Sequence, residues 1–372
     1  MEGKIRSAEE IFMSGSQQPK NYLHVLSLLA LCPSRAAEVI SYFAGLDSHG
    51  RNQLLALTDS HHVVLRALQP LGQAATRAGL AEIAQFAQGA INKERGRIEN
   101  ALKFLDAICR EFECAGCPVA VIKTLDHWPD FGNDLDLYTP ADRLHVTELL
   151  TRKFHACLLP RTVGDRLANK WSFRVPGLSQ DLEVHIGRLG QAGEHVELAN
   201  RFISRRQPKQ VSGYTFQIPA PEERVFASTL QRMYRHLYFR VCDILNAATL
   251  IESRTVDYAE LRAGADRGGI WAGVATFLVI VSNYLEQYRG AGLELPADVV
   301  SSALFGAEKL FARGRFLYFP VLPQGLALYT RQLARTLLRG DVPATARLSL
   351  LPPLASVAAL AYGVAGSSER IW

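Results

Sequence analysis

Asp134 and Asp136 stand one residue apart inside the apolar run FGNDLDLYTP, residues 131–140. In a strand, residues i and i+2 share a face, so both carboxylates point one way while Leu135 and Leu137 point the other. Two like charges so close repel, and burial adds a desolvation cost. A solvated turn, a nearby basic residue or a bound cation would offset it. A second run, DLEVHIG at 181–187, alternates in the same way, with Leu182, Val184 and Ile186 opposite Asp181, Glu183 and His185. If the two strands are sheet neighbours, Asp134, Asp136 and Glu183 converge. Oxygen ligands at that density suit Mg²⁺ or Mn²⁺, which keep waters and also bind substrate phosphates. Such ions can activate a hydroxyl and stabilise a departing pyrophosphate. The plainer alternative is a solvated, acidic strand face.

The elements that must position these residues follow from periodicity. Residues 1–90 read as helices broken at Cys-Pro-Ser (32–34), Asp-Ser-His-Gly (47–50) and Gln-Pro (69–70). In 93–113, Ile98, Ala101, Leu102, Leu105, Ile108, Cys109 and Phe112 form one apolar stripe. CAGCP ends that helix, and PVAVIKT (118–124) reads as a short buried strand. Thr139-Pro140 is expected to cap a helix over 141–154. ACLLP, KWSFRV, DLEVHIG and YTFQIP then read as strands, and from Pro221 the chain returns to helix, the first running to about residue 253. The expected fold is α+β. A small mixed-sheet core (93–220) lies between helical N-terminal (1–92) and C-terminal (221–372) segments.

At 372 residues, with 48% apolar and 21% charged residues, the chain has ordinary globular composition and room for two or three domains. A net charge of +5 fits a phosphate-bearing partner, but is also normal, and argues weakly against a long nucleic-acid footprint. Six cysteines without framework spacing point to a reducing, cytoplasmic setting. Cys109, Cys114 and Cys117 have no second Cys/His pair for zinc. His61 and His62, read as helix-start residues, diverge by about 100° and so share no ion. The opening MEGKIRSAEEIF has no apolar leader. The apolar stretches 269–285 and 348–366 fall at or below the roughly 18–20 residues needed to span a bilayer. Both are expected to be buried helices, with no membrane partner. G-x-S-x-G and G-x-G-x-x-G are absent.

On these residues the middle of the chain, about 95 to 250, resembles the DNA polymerase β-type nucleotidyltransferase superfamily. That signature is an apolar residue, Gly, Gly or Ser, a spacer, then Asp-apolar-Asp/Glu-apolar. Here Ile122 is followed by Lys123-Thr124, nine residues, and Asp134-Leu135-Asp136-Leu137. Lys123 replaces the glycine. A bacterial branch of uncharacterised nucleotidyltransferases carries a lysine near this point, and the chain is most similar to it. Glu183-Val184-His185 matches that branch's acidic-apolar-His strand. Ile218-Pro219-Ala220-Pro221-Glu222 matches its entry to the C-terminal helices, and Arg235-His236 with Asp243 matches its basic helix.

The resemblance implies a nucleotidyltransferase taking an NTP, ATP first among them, with Mg²⁺ or Mn²⁺ held by Asp134, Asp136 and Glu183. Lys123 and Thr124 would contact the β- and γ-phosphates, or Lys123 would simply neutralise the carboxylates as a salt bridge. Arg232, Arg235, His236 and Arg240 would reach nucleotide or acceptor phosphates, with Asp243 orienting an arginine, or would form a solvated helix face. The acceptor is open between a small molecule, a peptide or protein and an RNA end. Two rivals stand beside this reading. One is a degenerate member that binds nucleotide or a partner without catalysis. The other is a scaffold docking a protein through residues 1–90.

Overall fold

The computed structural model describes residues 18–354 and 356–357. The opening leader reading and much of 348–366 lie outside the described residues. The described residues open with the helices α1 (Gln18–Leu31), α2 (Ser48–Ser60), α3 (Val64–Arg77) and α4 (Ala81–Cys114). The break expected at Gln-Pro does not occur: α3 runs through Pro70. Its buried face (Leu68, Leu71, Ala74, Ala75) outweighs the single hydrogen bond that proline removes. The helix expected from residue 93 starts at Ala81, because Ile83, Ala87 and Ile91 extend the same buried stripe. His61 and His62 follow the end of α2, where His61 is the C-cap. They diverge, His61 toward the Arg315 carbonyl and His62 toward Arg240.

The core sheet is built from β1 (Ala120–Val121), β2 (Asp134–Thr139), β3 (Cys157–Leu158), β4 (Lys170–Arg174) and β5 (Asp181–Ile186). Their order is β1-β2-β5-β4-β3. The pair β2–β5 is parallel and its other neighbours are antiparallel, so the sheet is mixed and the fold is α+β. Between β2 and β3 lies α5 (Arg143–Phe154). Its cap is Asp142, which accepts from the Leu144 and His145 amides, and not Thr139, which remains in the strand. After β5 come α6 (Glu197–Ser204) and a hairpin in which the expected strand YTFQIP, β7 (Tyr214–Pro219), pairs with an unforeseen β6 (Arg206–Val211).

The long helix expected from Pro221 is interrupted. It divides into α7 (Pro221–Thr229), a π-helical turn (Leu230–His236), β8 (Tyr238–Phe239) and α8 (Val241–Glu252). Leu237 takes a left-handed φ of 56°, which no continuous helix allows. The chain continues through α9 (Tyr258–Gly268) and α10 (Trp271–Arg289). Next, β9 (Phe311–Arg313) and β10 (Phe316–Tyr318) join β8 in a second sheet, before α11 (Leu326–Leu338) and α12 (Val342–Ser349). As expected, α10 is a buried helix, and no described helix is long and apolar enough to cross a membrane. Apolar side chains from the N-terminal helices, the sheet and the C-terminal helices form one contiguous cluster. Across it, the Ser27 hydroxyl on α1 meets Tyr284 on α10 at 2.8 Å.

Candidate active site

Strands β2 and β5 run parallel and in register, Asp134 opposite Asp181, Asp136 opposite Glu183 and Tyr138 opposite His185. Alternation does the rest. Leu135 and Leu137 are fully buried in the core, while Asp134, Asp136 and Tyr138 share the other face. One end of that face is closed where Tyr138 meets Phe202 edge-on at 6.0 Å, and the other is open at the exposed Asp134. Asp136, Glu183 and His185 each offer a ligand atom, all within 4.8 Å of one another. Asp134 lies outside this trio. The imidazole brings a nitrogen to a set that the sequence reads as oxygen-only.

Lys123 shows how a side chain replaces the expected glycine. Its φ of 60° and ψ of −50°, with Thr124 N donating to Ile122 O at 2.6 Å, form a strained γ-turn. This is the region that glycine enters most cheaply. The turn is pinned to β2 from both sides: Ile122 N donates to Asp136 O at 2.9 Å, and Asp136 N donates to Thr124 Oγ1 at 2.8 Å. The strain thus aims Lys123 at the acidic face, with Nζ 2.5 Å from Asp136 Oδ1. The salt bridge weighed from sequence is the contact the structure contains.

Glu183 is also held by a lysine. Lys170, across from His185 on β4, places Nζ 2.8 Å from Glu183 and 3.0 Å from Asp165. Burial alone would raise the Asp136 carboxyl, but Lys123 and His185 outweigh it and hold it below the usual range. Asp134 goes the other way. Partial burial, then the charges of Glu183 and Asp136, push it up by more than the lysines pull it down. Burial lowers His185, leaving a neutral imidazole suited to ligation. His185 Nε2 is buried without a well-formed hydrogen bond and lies 3.6 Å from Asp136 Oδ1, the oxygen that Lys123 already holds. Two carboxylates and a neutral imidazole whose buried Nε2 lacks a hydrogen bond fit a divalent cation.

A cavity opens beside this face, lined by Ile122, Lys123, His185, Gly190, Gln191 and Arg235. Arg235 Nη2 lies 3.7 Å from Asp165. His236 packs against Tyr238 at 5.4 Å, and burial, then the nearby arginines and Lys123, keep it neutral. Arg240 is engaged elsewhere, on His62 and over the Phe316 ring. Arg232 is fully buried on Asp243, Nε to Oδ2 2.8 Å, so Asp243 does orient an arginine, though across a turn and not along one helix. Sequence reasoning missed Lys170, Asp165 and Gln191. His185 was legible in the alternation of DLEVHIG, whereas Lys170 needed the β4–β5 register. All six cysteines are free, and Cys117 lies 3.6 Å from His145.

No family model and no curated protein matches the chain. Among solved structures it is similar to an antigenic nucleotidyltransferase-like protein from Paracoccidioides brasiliensis. Identity is 13% and the TM-score 0.33, covering 55% of this chain and 97% of that one. So loose a superposition carries no argument, and the functional reading rests on the geometry of the acidic face.

Proposed function

We propose that the chain is a divalent-metal-dependent nucleotidyltransferase. It moves a nucleoside monophosphate from an NTP, ATP first among them, to an acceptor hydroxyl. The observation that carries this is the in-register parallel pairing that sets Asp136 against Glu183, with His185 and Asp134 alongside. Asp136, Glu183 and His185 would hold one ion, with Asp134 completing the acidic face at its open lip. Mn²⁺ suits the imidazole better than Mg²⁺, which favours oxygen ligands. Such an ion supplies charge stabilisation to the triphosphate and the departing pyrophosphate. Lys123 and Arg235 line the same cavity, and both present donors to phosphate oxygens. Thr124 holds the Lys123 turn on β2. In the transfer, a bond forms between the acceptor oxygen and the α-phosphorus. The bond from that phosphorus to the bridging oxygen breaks, pyrophosphate leaves, and the hydroxyl proton passes to water.

A second reading has its own support. Lys123 and Lys170 already neutralise Asp136 and Glu183, as they would in a protein that binds nucleotide or a partner without transfer. Pyrophosphate release, followed with each NTP and with Mg²⁺ or Mn²⁺ in the presence of a cell extract as acceptor source, separates the two. The transferase reading expects metal-dependent release that falls about 10²-fold or more in the Asp134→Asn, Asp136→Asn double variant. Release that survives the double substitution would sink it. NTP binding without release favours the second reading.

A further inference from the structure

A second cavity, of about 260 Å³, adjoins the first. Gln191 and Arg235 line both, so the two share a wall. Its sides are mostly apolar, with Met233 and Leu237 from the π-helical turn and its flank, Leu326 from α11, and Leu351. Val321 and Leu322, both exposed, belong to the same lining. Set into these apolar walls is a carboxylate. The Glu194 side chain is only 1% exposed, and among the described residues its one ion-pair neighbour is His195, at 3.5 Å. It accepts from Ala192 N at 2.9 Å and Gln332 Nε2 at 3.4 Å.

The position of Glu194 is built. Leu189 and His195 exchange backbone hydrogen bonds at 3.0 Å, closing the loop that carries it. Arg347 on α12 ties that loop down by donating to Ala192 O at 2.9 Å. Gly190 makes the room: at φ 93° it lies so close that a Cβ would stand 2.4 Å from the Glu194 carboxylate. Gly190 itself lines the first cavity, so Glu194 stands in the partition between an apolar chamber and the acidic face.

We infer that this chamber binds the acceptor, and that the acceptor is a small molecule with an apolar body and a cationic amine. The apolar walls take the body and Glu194 takes the ammonium. The cavities meet at Gln191 and Arg235, where a hydroxyl on the same molecule would reach the first. This inference rests on the transferase reading for the word acceptor, but the chamber and its charge preference do not depend on it. A buried carboxylate amid apolar side chains rewards one ligand charge over the others, because a charge-assisted hydrogen bond out of water is about twice as strong as a neutral one.

The test uses the full chain without nucleotide or metal. Binding of 4-phenylbutylamine, 4-phenylbutanol and 4-phenylbutyrate is measured by calorimetry, with methyl-labelled Leu and Met reporting the location by NMR. The amine is expected to bind about tenfold tighter than the alcohol, the carboxylate not detectably, with shifts at Met233, Leu326 and Leu351. Glu194→Gln should remove the amine's advantage. Leu326→Trp, at a half-open position, should block all three probes while the chain stays folded. Equal binding of the three probes, shifts elsewhere, or contacts showing the chamber filled by the chain's own residues beyond 357 would overturn it. Pyrophosphate release, measured separately, judges the transfer reading alone.

Discussion

At the residue scale the decisive position is Lys123. A side chain in the γ-turn costs on the order of 1–3 kcal/mol that glycine would not, and in return a cation is aimed at Asp136. Two substitutions separate these effects. Lys123→Gly and Lys123→Ala both remove the charge, but only glycine relieves the backbone. We expect Lys123→Gly to be about 1 kcal/mol more stable than Lys123→Ala in denaturant unfolding. Equal stabilities would show that the turn relaxes and stores no strain. Both variants should bind Mn²⁺ more tightly than the parent in the absence of nucleotide, since the competing ammonium is gone. Most of the acidic face was legible from alternation: Asp134, Asp136, Glu183 and His185 all lie where the period of two places them. Lys123 was legible as a salt-bridge candidate, whereas Lys170 was not. Lys170 reaches Glu183 only through strand register, which a single sequence does not contain.

At the scale of elements, the loop between β1 and β2 hangs from the N-terminal helices. Asp130 is buried and accepts from Leu65 N at 2.6 Å and Arg66 Nε at 2.9 Å. Arg97 of α4 holds the Phe131 and Gly132 carbonyls, each at 3.0 Å. The helices of residues 18–114 therefore fix the approach to Asp134 from two sides. Asp130→Ala would leave an amide and a guanidinium without their partner, at a cost of about 3 kcal/mol. A lower melting temperature with weakened Mn²⁺ affinity is the expected result. Unchanged metal affinity would show that the loop holds its shape unaided. The helices, the core strands and their α+β combination were readable from hydrophobic period. The break after Thr229 was not, because LQRMYRHLYF carries no Gly or Pro to mark the left-handed Leu237. The arginines expected to reach phosphates together therefore part company, Arg235 to the cavity and Arg240 to His62.

Across the whole molecule, burial is the first cause that holds seven histidines below their ordinary range. They are His24, His61, His62, His127, His185, His195 and His236. His61 is pushed down to about 4. A base with a depressed folded-state pKa is neutral in the native chain but takes a proton in the unfolded chain below the ordinary value of 6.5. Stability is therefore full above that pH and falls as the solution is acidified. Each such histidine contributes at most about 1.4 kcal/mol per pH unit. The melting temperature is expected to drop between about pH 7 and about pH 5, with net proton uptake on unfolding. A flat profile over that interval would contradict the buried, neutral assignment.

The parallel pairing of β2 with β5 has a consequence for the order in which the protein is made. Strands that pair in parallel need a long connection, and here it carries α5, β3 and β4 before the second half of the acidic face is reached. A chain leaving the ribosome thus displays Asp134 and Asp136 well before Glu183 and His185 have been synthesised, and Arg235 arrives later still. Any nascent or prematurely terminated product that stops short of β5 carries only half of the acidic face, however well its helices have formed.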